Sequence, residues 1–265
     1  NHANIDKEKI LNIGVNISGR VNPELGYSFS LFNFEERPLA EIMTEKIGYK
    51  VTIDNDTRAM TYGEMVKGLV KGEKNILFIN LSWGLGAGLV IHGDIFTGKS
   101  GFSGEFGHFN VFDNEILCHC GKRGCLETEV SGAALHRKLV QCVQDGKQSI
   151  LSKRILHGDT SLTLDEIISA TNKEDLLCIE LVEEIGQKLG RYLAGLINLL
   201  NPELVIIGGV LAQTGDYILQ PIKSAVRKYS LNLVNKDSVI ALSKLLDKAG
   251  VKGAFRLSRR SMCVS

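Results

Sequence analysis

The chain has 265 residues, of which 44% are hydrophobic and 23% charged, a balance that excludes a disordered or fibrous protein and leaves room for a sizeable core. Lys and Arg total 31 against 30 Asp and Glu, so the net charge is +1 and no basic excess marks a nucleic-acid surface. Apolar runs are too short to cross a bilayer, and the polar segment 1–9 does not read as a secretory leader; a cytoplasmic location is expected.

In chain order, residues 11–17 (LNIGVNI) read as a buried strand followed by a turn at Gly19-Arg20. A half-apolar segment near 27–31 precedes a helix near 37–47 that stops at Gly48. Residues 51–54 (VTID) predict a strand running directly into a helix near Asn55. Two strands, 76–82 and 86–91, are joined by a glycine-rich corner. Residues 98–127, rich in Gly and Cys with little helical period, predict an ordered loop that carries chemistry. Helices follow at 131–144, 163–171 and 174–200. The last carries an apolar stripe through Leu177, Leu181, Ile185, Leu189, Tyr192, Leu196 and Leu200, and Asn201-Pro202 ends it. A strand at 203–207, the Gly208-Gly209 turn, a helix near 217–229, a strand near 238–241 and a helix from about 246 complete an alternating α/β pattern. The first strand arrives with no hairpin before it, so the chain is expected to begin inside a fold.

Three of the six cysteines, Cys118, Cys120 and Cys125, fall within eight residues, and His108 precedes them; Cys142, Cys178 and Cys263 are scattered. In a reducing compartment such a cluster reads as a metal site sooner than as a disulfide. His108, Cys118, Cys120 and Cys125 form a Cys₃His set suited to tetrahedral Zn²⁺ with no open position, hence a structural site. His119, wedged between two ligands, is expected to point away.

Gly104-Glu105-Phe106-Gly107-His108, then Cys118-His119-Cys120-Gly121-Lys122-Arg123-Gly124-Cys125-Leu126-Glu127, resembles the signature of the ROK family (repressors, open reading frames and kinases) without insertion. Gly19-Arg20-Val21-Asn22-Pro23, Ile53 to Ala59, Val205 to Gly209 and Ala249 to Ala254 resemble further family segments, so the likeness spans the chain. It implies an actin-like, sugar-kinase-type (ribonuclease H-like) fold of two α/β lobes: a partial N-terminal lobe over 1–95, and a C-terminal lobe over 96–265 that includes the zinc loop 104–127. It further implies that Asn55, Asp56, Glu105, His108 and Glu127 bond sugar hydroxyls, with Gly19 and Arg20 nearby, and that His108 serves metal and sugar through different nitrogens. A sugar pocket needs such fixed carboxylates and amides because each hydroxyl both donates and accepts. Singly these residues have plainer readings: Asp56 as a helix N-cap, Glu105 as a solvated loop carboxylate, Glu127 as a first-turn helix residue, Arg20 as a surface charge. Only the joint spacing raises them.

Family kinases use the aspartate at the position of Asp56 as general base toward the attacking hydroxyl, with ATP and Mg²⁺. Their N-terminal Asp-x-Gly-Gly-Thr loop has no counterpart in these residues, and their Gly-Thr-Gly-x-Gly loop reads Ser82-Trp83-Gly84-Leu85-Gly86-Ala87-Gly88. Gly84, Gly86, Gly208 and Gly209 mark where a nucleotide would approach, but the indole of Trp83 should crowd it. The expected function is therefore the effector-binding region of a sugar-responsive transcriptional regulator, with an ATP-dependent hexose or N-acetylhexosamine kinase as the alternative. Expected partners are a monosaccharide (free, N-acetylated or phosphorylated), a second copy in a dimer or tetramer, and DNA only through an N-terminal helix-turn-helix upstream of these residues.

Overall fold

The computed structural model describes residues 7–30, 36–158 and 162–263. Its first part comprises β1 (Ile13–Ile17), the short antiparallel pair β2 (Val21–Asn22) and β3 (Tyr27–Ser28), helix α1 (Leu39–Ile47), β4 (Val51–Asn55) and helix α2 (Asp56–Lys67). Residue 31 of the segment predicted near 27–31 lies outside the described residues. β1 and β4 pair in parallel, from Ile13 opposite Val51 to Ile17 opposite Asn55. Their C-terminal ends therefore lie side by side, which brings the chain after Ile17 against the start of α2. Ile17, Val21, Leu39, Val51 and Ile53 form a small core beneath this pair.

The larger sheet contains β5 (Ile76–Leu81), β6 (Leu85–Ile91) and β7 (Asp94–Phe96). After the loop come α3 (Gly132–Gln144), α4 (Ser152–Leu156), α5 (Leu164–Asn172), α6 (Leu176–Leu200), β8 (Leu204–Gly208), α7 (Asp216–Tyr229), α8 (Asn232–Asp237), β9 (Val239–Leu242) and α9 (Lys248–Cys263). The sheet order is β7-β6-β5-β8-β9, antiparallel at β7/β6/β5 and parallel at β5/β8/β9. Every residue of β5 is buried, as a central strand covered on both faces requires. Leu77, Ile79 and Leu81 join a core with Leu135, Leu139, Ile185, Leu189 and Ile222, while Ile76 and Phe78 pack with Val90, Leu204 and Met60 on the opposite side. At about 1.5–3 kcal/mol per fully buried large side chain, this double-faced burial dominates the stability of the region.

Two sequence expectations change. The sheet joins β5–β7, which end at Phe96, to β8 and β9, and α9 packs back on α2 and β1. A lobe boundary at 95/96 therefore cuts through a hydrogen-bonded sheet; the composition shift at the loop is not a break in pairing. The stripe on α6 holds through Leu189 but continues through Leu193 and Ile197, leaving Tyr192, Leu196 and Leu200 half-buried. Tyr192 turns instead to the loop, where its hydroxyl donates to the Val111 carbonyl at 3.2 Å. The helix starts at Asp175, whose carboxylate accepts from the Cys178 N–H at 2.9 Å, and ends at Asn201 in the left-handed conformation.

Candidate sugar and metal sites

The β4–α2 junction sets the first group. Asn55, and not Asp56 as its plainer reading would have it, caps α2: its Oδ1 accepts from the Arg58 N–H at 3.0 Å. Its Nδ2 donates to the Gly19 carbonyl at 2.8 Å, which fixes the turn after β1. Asp56 is the first helical residue, with Oδ2 accepting from the Ser18 hydroxyl at 2.6 Å and Oδ1 from its neighbour's N–H, Thr57, at 2.7 Å. The carboxylate is thus oriented by hydrogen bonds yet borders open space.

Beneath it lies Arg58, which the sequence reading passed over. Its guanidinium is 5% exposed, ion-paired with Asp54 at 2.6 Å and donating to the carbonyls of Val21, at 3.0 Å, and Gly101. One buried side chain therefore ties together the segments that carry Gly19 and Glu105. The available signal was the four-residue step from Asp54 to Arg58 across the strand–helix junction.

The loop after β7 is ordered by turns and two isolated bridges, Asn110 with Cys125 and Leu117 with Arg123. α6 and α3 hold it down. Lys188 and Lys138 bond Glu129 at 2.7 and 2.8 Å, and Arg137 donates to the Thr128 carbonyl at 2.9 Å. Burial alone would raise the Glu129 carboxyl, but hydrogen bonds from Lys138 and Lys188 take it below its ordinary range. Glu127 reaches back to the β5–β6 corner, where its Oε2 accepts from the Leu85 N–H at 2.8 Å. His119 does not point away, as expected; its Nδ1 lies 2.9 Å from Glu127 Oε1, because the carboxylate offers the ring a partner.

The ligand atoms of His108, Cys118, Cys120 and Cys125 lie within 4.8 Å of one another. Cys118 Sγ is 3.6 Å from His108 Nδ1, and Cys120 Sγ is 3.6 Å from Cys125 Sγ. A tetrahedral zinc with Zn–S near 2.3 Å has edges of about 3.8 Å, so the donor set fits such an ion. His108 presents its other nitrogen, Nε2, to Glu105 Oε2 at 3.4 Å, on the cavity side. Burial pushes the Cys118 thiol up to about 12, so metal binding there must displace a proton. Burial opposes ionisation of Cys120 too, but the Lys122 N–H and the adjacent sulfurs bring it below the ordinary value.

These groups border one cavity of about 540 Å³, lined by Gly19, Asn55, Asp56, Gly84, Gly86, Glu105, His108, His119 and Glu127, with Trp83 and Arg137 also in its wall. Arg20 does not line it: its main chain bonds Phe29 and the Ser30 hydroxyl on the far strand of the turn. Gly208 and Gly209 do not line it either; they pack against Phe78 and the Leu81 backbone, where a Cβ would lie 2.3 and 2.5 Å from its nearest neighbours. Gly84 has a similarly steric role, since its Cβ would lie 2.6 Å from Glu127 Oε2. At Gly86 a Cβ would meet Thr57 Oγ1 at 2.7 Å. Close packing of Glu127 and α2 thus leaves no room for a side chain at Gly84 and Gly86. Among the described residues, no helix is long and apolar enough to cross a membrane.

The model of the ROK family matches residues 2–261. A glucokinase of Halalkalibacterium halodurans is 35% identical over 251 residues, covering 93% of this chain and 76% of the relative. The DNA-binding transcriptional dual regulator NagC of Escherichia coli K12 is 30% identical over 256 residues, covering 96% of this chain but 61% of the regulator. The structure of a Streptomyces griseus ROK glucokinase with glucose and AMPPNP superposes with a TM-score of 0.85 at 26% identity, over 95% of this chain and 82% of that one. The signature loop, the α/β sugar-kinase-type fold and a family match over nearly every residue agree, and the chain belongs to the ROK family.

Proposed function

We propose that this chain is the sugar-binding effector region of a ROK transcriptional regulator. The cavity that gathers Asn55, Asp56, Glu105, His108 and Glu127 carries the sugar assignment, because it supplies fixed carboxylates and an amide for hydroxyls that each donate and accept. Trp83, 57% exposed on the β5–β6 corner, supports a sensor over a kinase, since an indole stands where kinases place a small hydroxyl residue. Sugar binding would shift the population between conformations and change the geometry offered to DNA by a domain outside these residues. In this reading His108, Cys118, Cys120 and Cys125 hold a structural zinc, which cross-links the loop between Glu105 and Glu127.

The alternative, an ATP- and Mg²⁺-dependent sugar kinase, is supported by the 35% identity to a glucokinase and by the orientation of Asp56 toward open space, where it would take the proton of the attacking hydroxyl. The full-length protein is tested with glucose, N-acetylglucosamine and xylose by calorimetry and with ATP and Mg²⁺ for ADP release. Binding without turnover is expected. Turnover that Asp56→Asn abolishes overturns the regulator reading, and silence toward every sugar overturns the site.

A further inference from the structure

We propose that Trp83 is the floor of a second-ring subsite, so that the cavity takes the second pyranose of a disaccharide beyond the sugar held by Asp56 and Glu127. The inference rests on the assignment of the cavity to sugar and extends it to the size class of the ligand. The chain's only tryptophan lines the cavity while remaining 57% exposed, an unusual position for its largest apolar side chain. The indole does not hang from a loose loop. The Ser82 N–H donates to the Gly84 carbonyl at 3.1 Å, the Ser82 and Trp83 carbonyls accept from Gly132 and Ala133 at 2.7 and 3.0 Å, and the Leu85 N–H meets Glu127. His136 stands against the indole with ring centres 5.9 Å apart. An aromatic plane on a backbone fixed in this way, in the same cavity as the Glu127 carboxylate, matches the amphipathic form of a pyranose, whose C–H face stacks while its hydroxyls bond at the edge.

Volume and charge agree. One pyranose displaces six or seven waters, about 200 Å³ at ~30 Å³ each, whereas the cavity is about 540 Å³. The surplus is poorly suited to a polyphosphate. The first amides of α3, which border it, are spent on the Ser82 and Trp83 carbonyls and the Ser131 hydroxyl. Arg137 is engaged by Thr128 and Glu129, and Arg58 by Asp54 and two carbonyls. A neutral ring suits this wall better than an anion.

Calorimetry on the full-length protein would compare glucose, N-acetylglucosamine and xylose, each beside its β-1,4-linked disaccharide. For the sugar that binds, the disaccharide should bind about tenfold more tightly. Trp83→Ala should reduce that advantage to less than twofold, and Trp83→Phe should restore most of it, with melting temperatures close to the parent. A wild-type protein with no preference for the disaccharide, or a preference that survives Trp83→Ala, overturns the subsite while leaving monosaccharide binding intact. Displacement of the disaccharide by ATP would also overturn it, by making the indole a nucleotide platform. Failure of every sugar to bind removes the cavity's assignment and the subsite together.

Discussion

Replacing Arg58 with methionine should destabilise the protein by about 3–5 kcal/mol, the cost of stranding one member of a buried ion pair. The guanidinium is 5% exposed and Asp54 16%, so water replaces the lost partner only in part. The carbonyls of Val21 and Gly101 lose their donor as well, and each unsatisfied buried acceptor costs about 1–3 kcal/mol where it cannot relax toward solvent. At about 2–4 °C per kcal/mol for a chain of this size, the melting temperature should fall by roughly 6–20 °C. The double variant Asp54→Leu/Arg58→Met removes both charges and should recover part of the loss, leaving the two carbonyls and the Asn55 N–H, which donates to Asp54 at 2.6 Å, without those partners. Thermal and urea melts of the parent, both single variants and the double close the cycle. A drop under about 2 °C for Arg58→Met, or a double variant no more stable than that single one, would refute the reasoning. Sugar affinity should fall with stability, because the same guanidinium anchors the segments bearing Gly19 and Glu105.

Gly84→Ala should weaken sugar binding about tenfold with little loss of fold, because its Cβ would lie 2.6 Å from Glu127 Oε2 and push that carboxylate from the Leu85 N–H; calorimetry and a melt measure the two effects. Lys188→Met should cost about 1 kcal/mol at neutral pH, as partly exposed ion pairs do. Glu129 and Glu184, depressed despite burial, contribute above their unfolded values and lose the contribution as pH falls through the folded ones; Lys188, raised by both carboxylates against its own burial, contributes below its unfolded value and loses it as pH rises through the folded one. The penalty should therefore be flat between the ordinary values of 4.5 and 10.5 and fade outside them in urea melts across pH. Metal analysis should find one zinc per chain, and chelation should lower the melting temperature by more than 5 °C, at about 2–4 °C per kcal/mol; Cys120→Ser should reproduce most of that loss.

What was legible in the sequence was local. The metal donors announced themselves because Cys118, Cys120 and Cys125 are close in the chain, and strand–helix junctions such as 51–56 carry a change of hydrophobic period. Contacts made across the fold were not. Arg58 drew no reading of its own because its partners, Val21 and Gly101, lie 37 and 43 residues away. His119 was misjudged because its partner Glu127 sits on the returning arm of the same loop. Gly208 and Gly209 read as a turn after a strand, and only the packing of β8 on β5 reveals Phe78 and Leu81 against them. The sheet that crosses the expected 95/96 boundary was hidden for the same reason, since β5–β8 pairing joins residues more than 120 positions apart.

The charge of the cavity leads to a final prediction about its ligand. Asp56, Glu105 and Glu127 border it, while its two arginines are engaged by Asp54, by Glu129 and by main-chain carbonyls. His108 and His119 face Glu105 and Glu127, so they too are shared with carboxylates. Among the described residues, no lysine lines the cavity. A phosphate brought within about 4 Å of one of these carboxylates meets a repulsion of about 4 kcal/mol per unit charge at an effective dielectric near 20. Solvent access and rearrangement reduce that figure, but a tenfold preference needs only about 1.4 kcal/mol. The free sugar should therefore outbind its 6-phosphate by at least tenfold in calorimetry. If the phosphate protrudes toward solvent, added salt should narrow the gap by screening the carboxylates. Tighter binding of the 6-phosphate would mean that Arg137 leaves Glu129 to meet the anion, and would refute the view that these cations are already committed.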